Sequence, residues 1–215
     1  MERFHKRIIY ILSAISVIFM IVSAILYSQQ VKAEKIQQTL KIEQKNAEAV
    51  AKDNARNKLA LQVNKYIKSV APNSDIDPYI MIDLCSDYSI DLIFVLAQGQ
   101  IESHFATAGT ARKTNSIFNV GAYDGHSAKR QIKNGFGYAH PNDSIEPYLM
   151  LLKNDYLVNG RTTDYLLRNY VNKYGMRYAS STKYEVYMRS VYKRISTNKS
   201  FVSAYNEYLS YNMKA

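Results

Sequence analysis

One stretch constrains this chain more than any other: "IIYILSAISVIFMIVSAILY", Ile8 to Tyr27, twenty residues without a charge. Wound as a helix, such a run is about 30 Å long, the thickness of a bilayer's hydrocarbon core. It is apolar on every face, which suits lipid and not the surface of a soluble domain. Arg3, Lys6 and Arg7 stand before it, so the positive-inside rule puts the N-terminus in the cytoplasm and everything after Tyr27 outside. The apolar core of a cleaved signal peptide is usually about 7–15 residues, and the greater length here favours an uncleaved signal anchor. The tripeptide "VKA", Val31 to Ala33, is a weak cleavage site and keeps the second reading open.

Composition then changes sharply. Residues 31–54 are rich in Ala, Glu, Gln and Lys and contain neither Gly nor Pro. These are strong helix formers. Their apolar residues, Ile36, Leu40, Ile42 and Val50, hold no sustained heptad, so the segment reads as a solvated helical stalk and poorly as a coiled coil. The expected organisation is a cytoplasmic tip and anchor over 1–30, a stalk over 31–54 and one folded domain over 55–215.

Within that domain helices dominate. "ARNKLALQVNKYIKSV" has a helical period and stops at the turn formers "APNSDIDP". "YIMIDLCSDY" reads as a short helix, and the next runs to about Ser103, with Ser89 as its cap and Asp91 in its first turn. "ATAGTARKTNS" and "HSAKRQIKNGFGYAHPND" read as loops, and "IFNVGAYDG" between them as a short extended piece. A further helix starts at Ser144 with Pro147 near its first turn. "TTDYLLRNYVNKYG" and "STKYEVYMRSVYKRISTNKSFVSAYNEYLS" complete a mainly α fold.

Lys and Arg number 28 against 18 Asp and Glu, a formal charge of +10, with Lys173, Arg177, Lys183, Arg189, Lys193, Arg194 and Lys199 gathered near the end. The balance favours an anionic partner such as a cell wall, a lipid surface or nucleic acid. No nucleic-acid motif accompanies it, so nucleic acid is not expected as a partner. The single cysteine, Cys85, in an apolar context, reads as core packing. Phosphate loops, dinucleotide turns, nucleophile elbows and HExxH are absent, so no cofactor is expected. His5, His104, His126 and His140 have no metal-ligand spacing, and Asp124 with His126 reads as a polar turn, so no metal is expected either.

The stretch "LAQGQIESHF" stands apart. Glu102 closes an apolar helical run, and Gln98 lies one turn back on the same face. A carboxyl at such a junction is partly desolvated, which raises its pKa and suits it to general acid catalysis. The plainer reading is a solvated helix end, and the local pattern does not choose between them.

Beyond this point the match is more specific. "LAQGQIESHF" followed by "NSIFNVGAYD" resembles the signature of the family 73 glycoside hydrolases, bacterial N-acetylglucosaminidase domains that cut peptidoglycan, and within them the autolysin type. "SIEPYLMLLKNDYL" and "MRYASSTKYEVYMRSVYKRI" resemble the two segments that follow, so that the likeness spans roughly Leu59 to Ile195. His104 and Phe105 stand where such domains often carry Gly or Trp, and Asn119 where they carry Gly.

The resemblance implies a lysozyme-like helical domain with a substrate cleft, and glycan strands of peptidoglycan as substrate. It makes Glu102 the general acid, Tyr178 a residue that positions or polarises the sugar amide, and Gln98, Asn115, Phe118, Tyr123 and Tyr138 substrate contacts. No glutamate lies between Phe105 and Ile145, which leaves two routes: participation by the substrate's own acetamido oxygen, or a water oriented by Asp124. A lytic transglycosylase shares the Glu-Ser helix but normally continues into a "G-L-M-Q" segment that this chain lacks. A membrane-tethered wall-binding protein with little activity is the non-enzymatic alternative.

The anchor generates a direct test. Protease added to spheroplasts should remove the part beyond Tyr27 while residues before Ile8 stay protected. Full protection, or a mature N-terminus at Glu34, excludes this topology.

Overall fold

A computed structural model describes residues 1–121, 128–133, 135 and 137–212, without the side chains of 2–14, 128, 130 and 131. The chain divides into two units, Met1–Asp53 and Asn54–Ala215. The first is helical from Glu2 onward, the opening part of helix α1 (Glu2–Val70). Ile15 to Tyr27 are all exposed, and this helix is long and apolar enough to cross a membrane. From Lys32 to Val50 every residue is exposed, as expected of a polar helix with no apolar stripe to bury.

The second unit begins with the last part of α1, where the pattern changes. Ala55, Leu59, Val63 and Ile67 recur at every fourth position and are buried, which makes one apolar stripe. Helices α2 (Pro78–Asp87) and α3 (Leu92–Ser103) follow. Then come the short α4 (Ala111–Thr114) and α5 (Ala128–Lys133), a 3-10 turn over Pro141–Ser144, and α6 (Ile145–Leu151). A π-type turn over Leu152–Tyr156 leads to α7 (Thr163–Leu166), α8 (Tyr184–Ser196) and α9 (Lys199–Asn212). Among the described residues the only β pairing is an isolated antiparallel bridge between Val171 and Arg177.

Helix α3 is the axis of this unit. Every residue from Leu92 to Gly99 is buried, so the helix is covered on all sides. It packs along α8 and against α2. Gly99 lets the turn after α3 pack closely on it: a Cβ there would come within 3.0 Å of the Phe105 ring and 3.2 Å of Ile117.

Four expectations change. Asp91, not Ser89, caps α3: its Oδ1 accepts from the Ile93 N–H at 2.9 Å, while Ser89 sits in a left-handed turn at φ 54°. The expected loop after Phe105 contains α4, and the segment after it contains α5. Ile117 to Gly121 forms turns and no strand, with Asn119 left-handed at φ 49°. The helix expected over "TTDYLLRNYVNKYG" shrinks to α7, because the Asn172 side chain captures the backbone N–H groups of Tyr174 and Met176, both at 2.9 Å, and folds the chain into a tight turn.

The Asp91 cap is heavily used. Its carboxylate also accepts from the hydroxyls of Tyr192 on α8, at 2.8 Å, and Tyr205 on α9, at 3.3 Å. Burial raises its pKa, and these bonds oppose that shift. Asp91→Ala should therefore destabilise the protein by about 1–2 kcal/mol, the usual cost of a lost cap. Asp91→Asn keeps the acceptor for Ile93 and should cost much less. Thermal unfolding of the detergent-solubilised variants measures the difference.

Candidate active site

Glu102 is the second-last residue of α3. Because α3 is enclosed from Leu92 to Gly99, its final turn carries this carboxyl out to the edge of the core. The helix stops abruptly after it: His104, Phe105 and Ala106 are all left-handed, at φ 47°, 54° and 68°. For residues with a Cβ this costs about 1–2 kcal/mol each. Several contacts hold the turn. The Phe105 N–H donates to the Gly99 carbonyl at 3.0 Å, and the Phe105 ring is fully buried against Gly99 and edge-on to Tyr66. The Ser103 hydroxyl donates to the Ile117 carbonyl at 2.7 Å and accepts from the Ala106 N–H at 2.8 Å. One buried serine thus ties the helix end both to its own turn and to the segment that carries Asn119.

Two side chains hold the Glu102 carboxyl. The Tyr184 hydroxyl, from the first residue of α8, donates to Oε1 in a short hydrogen bond. Asn119 Nδ2 donates to Oε2 at 3.3 Å and to the Glu102 backbone carbonyl at 2.8 Å. Burial nevertheless raises the carboxyl's pKa above the ordinary Glu range, since the two bonds offset the lost hydration only in part. The negative end of the α3 dipole disfavours the anion further. A carboxyl held in place and reluctant to ionise suits the delivery of a proton.

Around Gln98 and Glu102 lies a cluster of tyrosines. Gln98 has no exposed surface, and its Oε1 accepts from the hydroxyls of Tyr148 and, at 2.7 Å, Tyr170. Tyr170 stacks on Tyr178 with ring centres 4.6 Å apart, and Tyr156 meets both rings edge-on. The Tyr178 hydroxyl donates to the Phe118 carbonyl at 2.7 Å. Phe118 is itself fully buried and stacked on Tyr148 at 3.7 Å.

The expected site residues therefore separate. Glu102 is held at the core edge, with Tyr178 close enough to be affected by its charge. Gln98 and Phe118 are enclosed, so as placed they brace the site from behind and do not face a ligand. Asn115 is left-handed at φ 54° and donates to the carbonyls of Tyr138 and Ala139 at 2.9 and 3.0 Å, which joins it to Tyr138 as a loop anchor. Asn115 also lines a polar groove of about 790 Å³ with His104, Arg112 and His140, of which Glu102 is not a lining residue. Tyr123 and Asp124 lie outside the described residues.

Tyr184 and Asn119 were not among the expected site residues. Tyr184 is one of 19 tyrosines and begins an amphipathic helix, so nothing in the sequence singles it out. Asn119 carried a signal, as an Asn where the resembling domains have Gly: both residues tolerate the left-handed conformation found there. Compared with known proteins, the chain matches no family model, no curated protein and no solved structure.

The Ser103 staple is testable. Ser103→Ala leaves a buried carbonyl and a buried N–H without their partner, and each such loss costs about 1–3 kcal/mol. The variant should melt several degrees lower, and its turn at 104–106 should become more susceptible to limited proteolysis.

Proposed function

We propose that the unit Asn54–Ala215 is a lysozyme-like glycoside hydrolase that cuts the glycan strands of peptidoglycan after N-acetylglucosamine, held at the outer face of the cell membrane by the apolar part of α1. The observation that carries this reading is the Glu102 carboxyl: mostly buried, bonded by two donors, raised in pKa, and set at the end of an enclosed helix. The likeness of "LAQGQIESHF" and "NSIFNVGAYD" to the autolysin-type glucosaminidases supports it.

In this mechanism Glu102 gives its proton to the glycosidic oxygen as the bond from that oxygen to the anomeric carbon breaks. Positive charge develops on the sugar, and the leaving strand departs as an alcohol. The electron-deficient carbon is then met by the substrate's acetamido oxygen or by a water that Asp124 orients. In the first route water then opens the cyclic intermediate and gives its proton to Glu102; in the second the oriented water supplies the hydroxyl and Asp124 takes its proton. The sequence has no glutamate between Phe105 and Ile145, which supports single-acid chemistry. A lytic transglycosylase is also a single-acid enzyme and remains the competing reading. The excess positive charge favours retention on an anionic wall and should make that retention weaken with salt.

Full-length protein in detergent, incubated with purified peptidoglycan, should release strands with a reducing N-acetylglucosamine end, read by mass spectrometry. An anhydro-muramyl end assigns the transglycosylase instead. Glu102→Gln removes the transferable proton at nearly constant shape, and the rate should fall by about 10²–10⁴-fold with the melting temperature little changed. A folded variant of undiminished rate would mean that Glu102 is not the acid.

A further inference from the structure

We infer that Tyr184 and Asn119 are the positioning residues of Glu102, a two-point clamp with one donor on each carboxyl oxygen, and that Tyr178 is a strut with no direct hold on the acid. This rests on the reading of Glu102 as a general acid and deepens it. The resemblance gives Tyr178 a role at the sugar amide; the hold on the acid itself falls to other residues of this chain.

The geometry separates the two tyrosines. The Tyr178 proton is committed to the Phe118 carbonyl at 2.7 Å, and its ring is fixed by stacking on Tyr170. The Tyr184 hydroxyl is committed to Glu102 Oε1. Both rings sit in the same cluster with centres 5.9 Å apart, so the difference lies in where each hydroxyl points. Asn119 is directional for a further reason. Its Nδ2 also donates to the Glu102 backbone carbonyl at 2.8 Å. Turning the amide over would set Oδ1 against that carbonyl, so the donor stays on the carboxyl side.

The clamp acts on the step in which the proton leaves. A hydroxyl or amide N–H bonds a carboxylate more strongly than a neutral carboxyl, so both contacts strengthen as Glu102 becomes an anion. They favour the transition state over the bound substrate, which is the condition for raising kcat. The titratable groups facing Glu102 are Tyr184 from α8 and Tyr170 and Tyr178 from the segment before it, and no cation acts on it among the described residues. The two donors that hold it, a phenol and an amide, are both neutral.

The sign follows. Both bonds lower the pKa of Glu102 against the effect of burial. Removing either lets it rise, and the alkaline limb of the pH–rate profile, where the acid loses its proton, moves to higher pH. Tyr184→Phe keeps the ring and loses only the hydroxyl. In full-length protein it should lower kcat on peptidoglycan by about tenfold or more, as for other bonds to a charged group, with KM within about twofold. Asn119→Gly suits the left-handed backbone and should give the same shift at smaller amplitude. Tyr178→Phe should lower the melting temperature and leave the limb where it is.

A second readout does not depend on activity. The ¹³Cδ resonance of Glu102, identified by its loss in Glu102→Gln, should titrate at higher pH in Tyr184→Phe and in Asn119→Gly than in wild type. An unmoved titration in Tyr184→Phe, or a larger shift in Tyr178→Phe, overturns the clamp. Shifted titrations in a protein that cuts no glycan would uphold the clamp and overturn the hydrolase.

Discussion

Everything at the candidate site depends on the burial of α3 from Leu92 to Gly99. A helix apolar on all faces from Leu92 to Ala97 must lie inside the unit, and its ends are then the only places where it meets polar surroundings. Each end carries one carboxylate with a raised pKa: Asp91 where the helix starts and Glu102 where it stops. Both are bonded by tyrosine hydroxyls, Asp91 by Tyr192 and Tyr205 and Glu102 by Tyr184. Helix α8 supplies a tyrosine to each end, so its docking along α3 fixes the two carboxylates together. Their settings differ in chemistry. Asp91 also accepts a backbone N–H of the helix it caps, where the dipole favours an anion. Glu102 sits at the opposite pole, where the dipole disfavours one.

Tyrosine abundance becomes intelligible in this setting. A fully enclosed Gln98 needs partners, and phenols from Tyr148 and Tyr170 reach it while their rings fill the core. Phe118 stacks on Tyr148, the Tyr148 hydroxyl lies 3.4 Å from that of Tyr170, and Tyr170 stacks on Tyr178. The same residue type both builds the wall and places hydroxyl groups along it.

Much of the fold was legible because it rests on periodicity. The uncharged run from Ile8 to Tyr27 and the stop at the turn formers after Val70 both follow local rules of composition. Glu102 was legible for the same reason, as a charge at the end of an apolar run. What escaped was set by distant partners. Tyr184 reaches Glu102 across 82 positions of sequence, and its own surroundings describe only an amphipathic helix. Gln98 read as a site residue from its place one turn before Glu102 and Phe118 from the family resemblance, yet their side chains are enclosed. Nearness along the chain did not reveal which way a side chain faces. The loss of the helix over 167–175 was hidden likewise in one asparagine, whose competing bonds outweigh an otherwise helical pattern.

The left-handed run at His104, Phe105 and Ala106 has a consequence for the order of assembly. Helices commonly end at a glycine or before a proline, signals readable by the nascent segment itself. Here neither stands between Ser103 and Ala108. The stop is imposed from outside, by the burial of Phe105 against Gly99 and Tyr66 and by the Ser103 tie to Ile117. Helix α3 can therefore form early, but its last turn acquires its boundary only when the surrounding core closes. The position of Glu102 is thus among the last features to be defined, and the chain carries no fixed carboxyl at this point until the rest of the unit is folded around it.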